Sequence, residues 1–134
     1  GEFCALGESL MFASELLQND KAAILGRAVD AATQLILTQD KSPRRDVGET
    51  DTRESHIYYA LYWAQAIATE PEDAELASIF AAIAAEIESQ ESQIVAELAS
   101  TQGQPCDLGG YYRPNPDLVA RFMRPSDIFN RIIG

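Results

Sequence analysis

Four basic residues lie close together in this sequence and are its strongest candidates for binding chemistry. They are Lys41, Arg44, Arg45 and Arg53, and the whole chain of 134 residues contains only ten Lys and Arg residues. The stretch from residue 54 to residue 112 has no Lys or Arg and ten acidic residues. Any anion site is therefore expected in the basic segment. A solvated basic loop is the simpler interpretation of the same residues.

The other reactive side chains do not form a recognisable site. His56 is the only histidine, and no Ser or Cys in a nucleophile turn motif accompanies it. Cys4 and Cys106 lack the spacing of a zinc site. Glu86 and Glu88 are two positions apart, so they point to different faces of a helix. We therefore predict no catalytic residue and no metal ligand within this chain.

The charge of the chain limits its partners. The formal net charge is −11, which disfavours nucleic acid and anionic membrane as partners, because both are bound through Lys and Arg. No apolar run is long enough to span a bilayer, and the N-terminal residues do not resemble a signal peptide. The absence of a disulfide framework favours a reducing compartment, here the cytoplasm. The chain begins in helical sequence without Met, which suggests part of a longer protein.

Hydrophobic periodicity predicts an all-α fold of five or six helices in a single domain over residues 1–134. A loop is expected at 39–51, where Pro43 and Gly48 occur, and a second loop at 103–116. The predicted helices cover 2–18, 21–38, 52–69, a long segment that starts near Pro71 and ends near Leu98, a short helix that starts at Asn115-Pro116-Asp117 and a last helix that starts at Pro125-Ser126-Asp127. The long segment is predicted to be one helix, because no Gly or Pro interrupts it; a break near Ser89–Ser92 is the alternative.

Local signals refine these boundaries. Asn19 is positioned to cap the second helix, and Thr50 or Asp51 to cap the third. Asp51 followed by Glu54 resembles a capping box. Gly7 and Gly26 each weaken a helix by roughly 1 kcal/mol relative to Ala, which a close helix–helix contact would explain.

An aromatic group surrounds the apolar face of the third predicted helix. Its members are Tyr58, Tyr59, Tyr62 and Trp63. Such a group belongs more often to a core than to a cofactor-stacking site. We therefore expect these side chains to pack inside the domain.

Several segments, taken in order, resemble the C-terminal end of the monomeric isocitrate dehydrogenases. The resemblance covers essentially the whole chain, and its specificity comes from the ordered set. The segments are Gly1-Glu2-Phe3 with Ala5-Leu6; Lys41-Ser42-Pro43-Arg44-Arg45 with Val47-Gly48-Glu49; Ser55-His56 with Tyr59 to Ala66; Ile94 to Leu98 with Gln102-Gly103; and Gly109 to Tyr112 with Met123 to Ser126 and Phe129-Asn130.

The resemblance implies a role in a larger two-domain enzyme. Enzymes of this family oxidise isocitrate with NADP and a divalent cation, Mg or Mn, and release carbon dioxide. The resemblance places this chain in the small domain, against the rest of the enzyme polypeptide, and places the catalytic and metal-binding residues upstream of it. It implies that Arg45 is the third member of a basic triad that holds the 2′-phosphate of NADP. Arg suits this role because its fork of donors matches a phosphate.

Some positions depart from the family pattern. The family usually has Ser at Arg44, a basic residue at Asp46, Asn at Thr52 and Gly at Glu54, and Ala-Thr at Asp127-Ile128. Because the loop differs from the family pattern, the preference between NADP and NAD stays open. A stand-alone, non-catalytic interaction module derived from this family is the alternative. A regulatory phosphorylation site at Ser42-Pro43 is a third, weaker interpretation.

An apolar face left uncovered by the missing polypeptide is expected to drive homo-oligomer formation by this chain. The two segments expected to take part are 3–17 and 57–68.

Overall fold

The computed structural model describes residues 1–134 and is entirely helical, as the sequence predicts. Its six helices are α1 (Glu2–Leu17), α2 (Asp20–Thr38), α3 (Thr52–Ala68), α4 (Ala74–Ala99), α5 (Pro116–Met123) and α6 (Asp127–Ile133). None of these helices combines the length and the apolar character that a bilayer crossing requires.

Helices α1 and α2 form a tight hairpin. Gln18 adopts a left-handed conformation with φ 51°, and the Asn19 side chain accepts a hydrogen bond from the N–H of Ala22, which caps α2. The two helices cross closely at Gly7 and Gly26. A Cβ added at Gly26 would lie 3.2 Å from the carbonyl oxygen of Gly7, so the glycines permit the close contact that their positions suggested.

The core is centred on α3, which packs against α2 and against α4. Twelve buried residues form one cluster: Val29, Ala32 and Ile36 from α2; Ile57, Tyr58, Tyr59, Leu61 and Ala64 from α3; and Ala84, Ile87, Ile94 and Leu98 from α4. Burying an aliphatic side chain of this size stabilises a fold by about 1.5–3 kcal/mol. The prediction for the aromatic group is confirmed, since Tyr62 and Trp63 pack against this cluster.

The long helix is continuous, but it begins later than the sequence indicated. Pro71 lies in the turn before α4, and the helix starts at Ala74. Asp73 is the N-cap and accepts a hydrogen bond from the N–H of Leu76 at 2.9 Å. A Pro–acidic sequence is compatible with both a helix start and a preceding turn, and here the capping bond of Asp73 decides the boundary.

The C-terminal helices are short and capped by polar side chains. Asn115 caps α5, and Ser126 caps α6. Ser126 is 2% exposed, and its hydroxyl donates to the carboxylate of Glu97 on α4 at 2.6 Å. This bond fixes α6 on the long helix.

The apolar faces of α1 and α3 differ in exposure. On α3, Ile57 and Leu61 pack into the chain's own core, so the 57–68 face is not available to a second copy. On α1, Phe12 and Leu16 are 66% and 68% exposed. Homo-oligomer formation stays a prediction. Of the two helices, α1 has the exposed apolar face through which a second copy could bind.

Candidate functional site

The connection from residue 39 to residue 51 carries the basic cluster and leaves α2 through a defined turn. Asp40 is left-handed with φ 53°. The N–H of Lys41 donates to the carbonyl of Ile36 at 2.9 Å, a bond typical of helices that end in a left-handed residue. The chain then bends at Ser42.

Two backbone hydrogen bonds close a small loop within this connection. The N–H of Arg44 donates to the carbonyl of Thr50 at 2.7 Å, and the N–H of Glu49 donates to the carbonyl of Asp46 at 3.2 Å. Gly48 has φ 91°, which L side chains rarely adopt. Residues 45–49 therefore form a short protruding loop, which we call the Arg45 loop.

Gln102, just after α4, holds this loop against the domain. Its Oε1 accepts from the N–H of Gly48 at 2.8 Å, and its Nε2 donates to the carbonyl of Glu49 at 3.1 Å. The same Nε2 also donates to the carboxylate of Asp51 at 3.1 Å. One amide therefore connects the loop to the end of the long helix.

Three of the four clustered cations already have partners within the chain. The ammonium of Lys41 lies 3.9 Å from the ring centroid of Tyr58. Arg44 pairs with the carboxylate of Asp40 at 2.6 Å. Arg45, in contrast, is exposed and forms no side-chain ion pair or hydrogen bond. None of the neighbouring carboxylates pairs with Arg45.

Arg53 serves the fold. Its guanidinium donates to Asp51, to the hydroxyl of Thr101 and to the carbonyls of Leu98 and Phe122. The side chain is 16% exposed. Arg53 therefore connects the start of α3 with the end of α4 and with α5, and it has no free donor directed at an external anion.

Asp51 is the N-cap of α3 and the anionic partner of Arg53. Its side chain accepts from the N–H groups of Arg53 and Glu54 at 2.8 and 3.0 Å. Burial alone raises the pKa of Asp51, but hydrogen bonds from Arg53, the Glu54 N–H and Gln102 outweigh burial and hold this pKa below its ordinary value. The capping box is incomplete: Glu54 accepts from the Thr50 hydroxyl, not from the N–H of the cap residue.

A pocket of about 260 Å³ lies at the start of α3, beside the connection that carries the Arg45 loop. Ser42, Pro43, Ser55 and His56 are among its lining residues. His56 packs against the ring of Phe3 with centroids 5.3 Å apart, and its Nε2 lies 3.7 Å from the carboxylate of Glu2. No nucleophile–base pair is assembled here.

The cysteines and carboxylates do not form a metal centre. Cys4 and Cys106 are exposed and free. No group of three or more His, Cys, Asp or Glu side chains is arranged to hold a metal ion. The donor set in this chain does not fit the Mg or Mn that the family resemblance implies.

Gln102 is the site residue that sequence reasoning missed. It lies 54 positions from Gly48, and no periodicity connects a glutamine after one helix with a loop before another. The sequence signal that could have identified Gln102 is its place in Gln102-Gly103, one of the segments that carry the family resemblance.

Comparison with known proteins finds relatives that match the full length of this chain. The model of the family described as monomeric isocitrate dehydrogenase matches residues 1–134. An isocitrate dehydrogenase [NADP] from Azotobacter vinelandii is 50% identical over 134 residues, which are 100% of this chain and 18% of the relative. An isocitrate dehydrogenase [NADP] from Corynebacterium efficiens is 47% identical over 133 residues, 99% of this chain and 18% of the relative.

A third relative, isocitrate dehydrogenase [NADP] 2 from Mycobacterium tuberculosis, is 45% identical over 130 residues. These cover 97% of this chain and 17% of that protein, so the chain spans less than a fifth of the length of the relatives it matches. The match of the family model to every residue, together with the all-helical architecture, shows that the chain belongs to the monomeric isocitrate dehydrogenase family.

Proposed function

We propose that this chain is the C-terminal part of the small domain of an isocitrate dehydrogenase that converts isocitrate to 2-oxoglutarate with NADP. In this proposal the chain supplies one contact to the 2′-phosphate of NADP, through Arg45, and structural support for the rest of the enzyme. It is not catalytic alone, because the residues that bind substrate and metal belong to the remaining polypeptide.

The observation that supports the cofactor contact is that Arg45 is exposed and that its guanidinium has no partner within the chain. This residue lies in the Arg45 loop, directly after the closed base of the loop at Arg44, and no carboxylate neutralises it. A guanidinium with all its donors free can form a bidentate, charge-assisted interaction with a phosphate. Arg44 is less suited, since its guanidinium is paired with Asp40.

Replacing Arg45 with Ala in the full-length enzyme tests this contact. Hydrogen bonds from a charged donor contribute about 1.5–3 kcal/mol, and 1.4 kcal/mol corresponds to a factor of ten. The KM for NADP should therefore rise roughly 10- to 150-fold. The KM for NAD should change little, because NAD has no 2′-phosphate.

The matched control is Arg44→Ala, which removes an equal charge from the adjacent position and should have the smaller effect. Equal losses with NADP and NAD in Arg45→Ala would remove Arg45 from the cofactor site. An effect of Arg44→Ala as large as that of Arg45→Ala would point to the general positive charge of the loop instead of one contact.

The second candidate function is a stand-alone helical interaction module derived from this family. The exposed apolar residues Phe12, Leu16 and Leu17 on α1 favour it, because such residues are usually covered by a partner. The intact mass of the natural protein distinguishes the two: the mass of a full enzyme supports the first proposal and a mass near 14.7 kDa supports the second. Free thiols at Cys4 and Cys106 are compatible with the cytoplasmic location we propose for either.

A further inference from the structure

We propose that Gln102 is a positioning residue that sets the preference for NADP by holding the Arg45 loop in its binding geometry. The inference rests on the proposed contact between Arg45 and the 2′-phosphate. It concerns a residue that does not itself reach the cofactor and acts only through the loop it holds.

Both polar atoms of the Gln102 amide are used on this loop. Oε1 accepts from the N–H of Gly48 at 2.8 Å, while Nε2 donates to Glu49 and Asp51 at 3.1 Å each. On the other side, the N–H of Arg44 is bound to the carbonyl of Thr50. Arg45 thus lies between two fixed backbone points, at residues 44 and 48.

Gly103 adds a packing contact to the same support. A Cβ added at Gly103 would lie 3.0 Å from Cγ1 of Val47, so the loop rests directly on the backbone after α4. The N–H of Gln102 donates to the carbonyl of Ala99 at 3.0 Å, which fixes Gln102 relative to the long helix. The position of the Arg45 loop is therefore fixed relative to α4 and the core.

The placement of Arg45 depends on this support because its own side chain is not anchored by any neighbour. Bidentate binding of a phosphate requires the guanidinium within about 0.5 Å of its productive position. A loop released at residue 48 would sample many positions, and only a fraction of them would direct the guanidinium at the phosphate. The apparent affinity falls in proportion to that fraction.

The test uses the full-length enzyme with Gln102→Leu, which removes all three bonds and leaves an apolar side chain one bond shorter. The matched control is Gln104→Leu, because Gln104 lies two positions further on, is exposed, and bonds only to the carbonyl of Ser100. Gln102→Glu serves as a second variant if Gln102→Leu does not accumulate folded. It keeps an acceptor for Gly48 and loses both Nε2 donations.

The expected result is a KM for NADP raised about 5- to 30-fold in Gln102→Leu, with kcat and the KM for NAD nearly unchanged. Gln104→Leu should match the parent enzyme. The double variant Arg45→Ala/Gln102→Leu should have the NADP KM of Arg45→Ala alone, because Gln102 acts through Arg45.

Three results would overturn the inference. Equal KM increases for NADP and NAD, or a fall in kcat alone, would indicate a merely structural role. An unchanged NADP KM in Gln102→Leu, with a large effect in Arg45→Ala, would reject the inference and leave the proposed function standing. No effect in Arg45→Ala would reject the proposed contact, and with it the role of Gln102.

Discussion

Replacing Arg53 with Met should destabilise this domain more than the substitution of any other charged side chain. The guanidinium donates at 2.7 Å to Thr101, at 2.6 Å to the carbonyl of Phe122 and at 3.2 Å to that of Leu98. It also pairs with Asp51 at 2.5 Å. Met keeps the aliphatic stem and removes all of these donors.

The magnitude follows from what the substitution leaves behind. A buried acceptor that loses its donor costs about 1–3 kcal/mol, and here two carbonyls and the carboxylate of Asp51 lose theirs. Because Arg53 and Asp51 are 16% and 25% exposed, water replaces part of the loss. We expect the free energy of unfolding to fall by about 2–4 kcal/mol.

The measurement is equilibrium urea unfolding of the 134-residue chain, followed by helical circular dichroism. Arg44→Met is the matched control, since it breaks an exposed pair with Asp40, which is worth about 0–1 kcal/mol. Arg53→Lys should fall between them, because an ammonium cannot span the same acceptors. If Arg53→Met and Arg44→Met lose the same stability, the argument that Arg53 joins three segments is wrong.

Three further predictions concern packing, pH and activity. Gly26→Leu should lower the free energy of unfolding by about 2 kcal/mol or more, because the added side chain meets Met11 and the Gly7 carbonyl. Gly7→Ala should instead raise it by up to about 1 kcal/mol, because the added Cβ meets the movable carboxylate of Asp30 and touches Val29 only at ordinary contact distance, 3.5 Å. Thermal unfolding of both variants checks this. Burial raises the pKa of Asp51, but hydrogen bonds from Arg53, the Glu54 N–H and Gln102 outweigh burial and hold this pKa below its ordinary value. The stabilising contribution of Asp51 is therefore fully present above the ordinary carboxyl pKa and is lost as pH falls through the folded pKa. Asp51→Asn keeps the cap, and its stability deficit should therefore be full at neutral pH and shrink below about pH 4 in parallel unfolding series; a constant deficit would contradict this. The purified chain should show no isocitrate oxidation with NADP or NAD and a divalent metal, and a rate that copurifies with it would contradict the proposed division of roles.

The helices and most of their ends were readable from the sequence because they depend on neighbours. The apolar period and the caps at Asn19, Asp51, Asn115 and Ser126 act over three or four residues. The error at α4 has the same origin: Pro71 predicts a helix start, whereas the capping bond of Asp73 begins the helix at Ala74.

The partners of the basic residues within the chain were decided only by the tertiary structure. In the sequence, Arg44, Arg45 and Arg53 form one cluster, and by residue type alone each could bind an anion equally well. Folding pairs Arg44 with Asp40 and directs Arg53 at carbonyls 45 and 69 positions away along the chain, which leaves Arg45 free. Likewise, the hold of Gln102 on Gly48 spans 54 positions. Periodicity and spacing describe the few residues around a position, whereas these contacts depend on how the ends of α3, α4 and α5 come together in the packed domain.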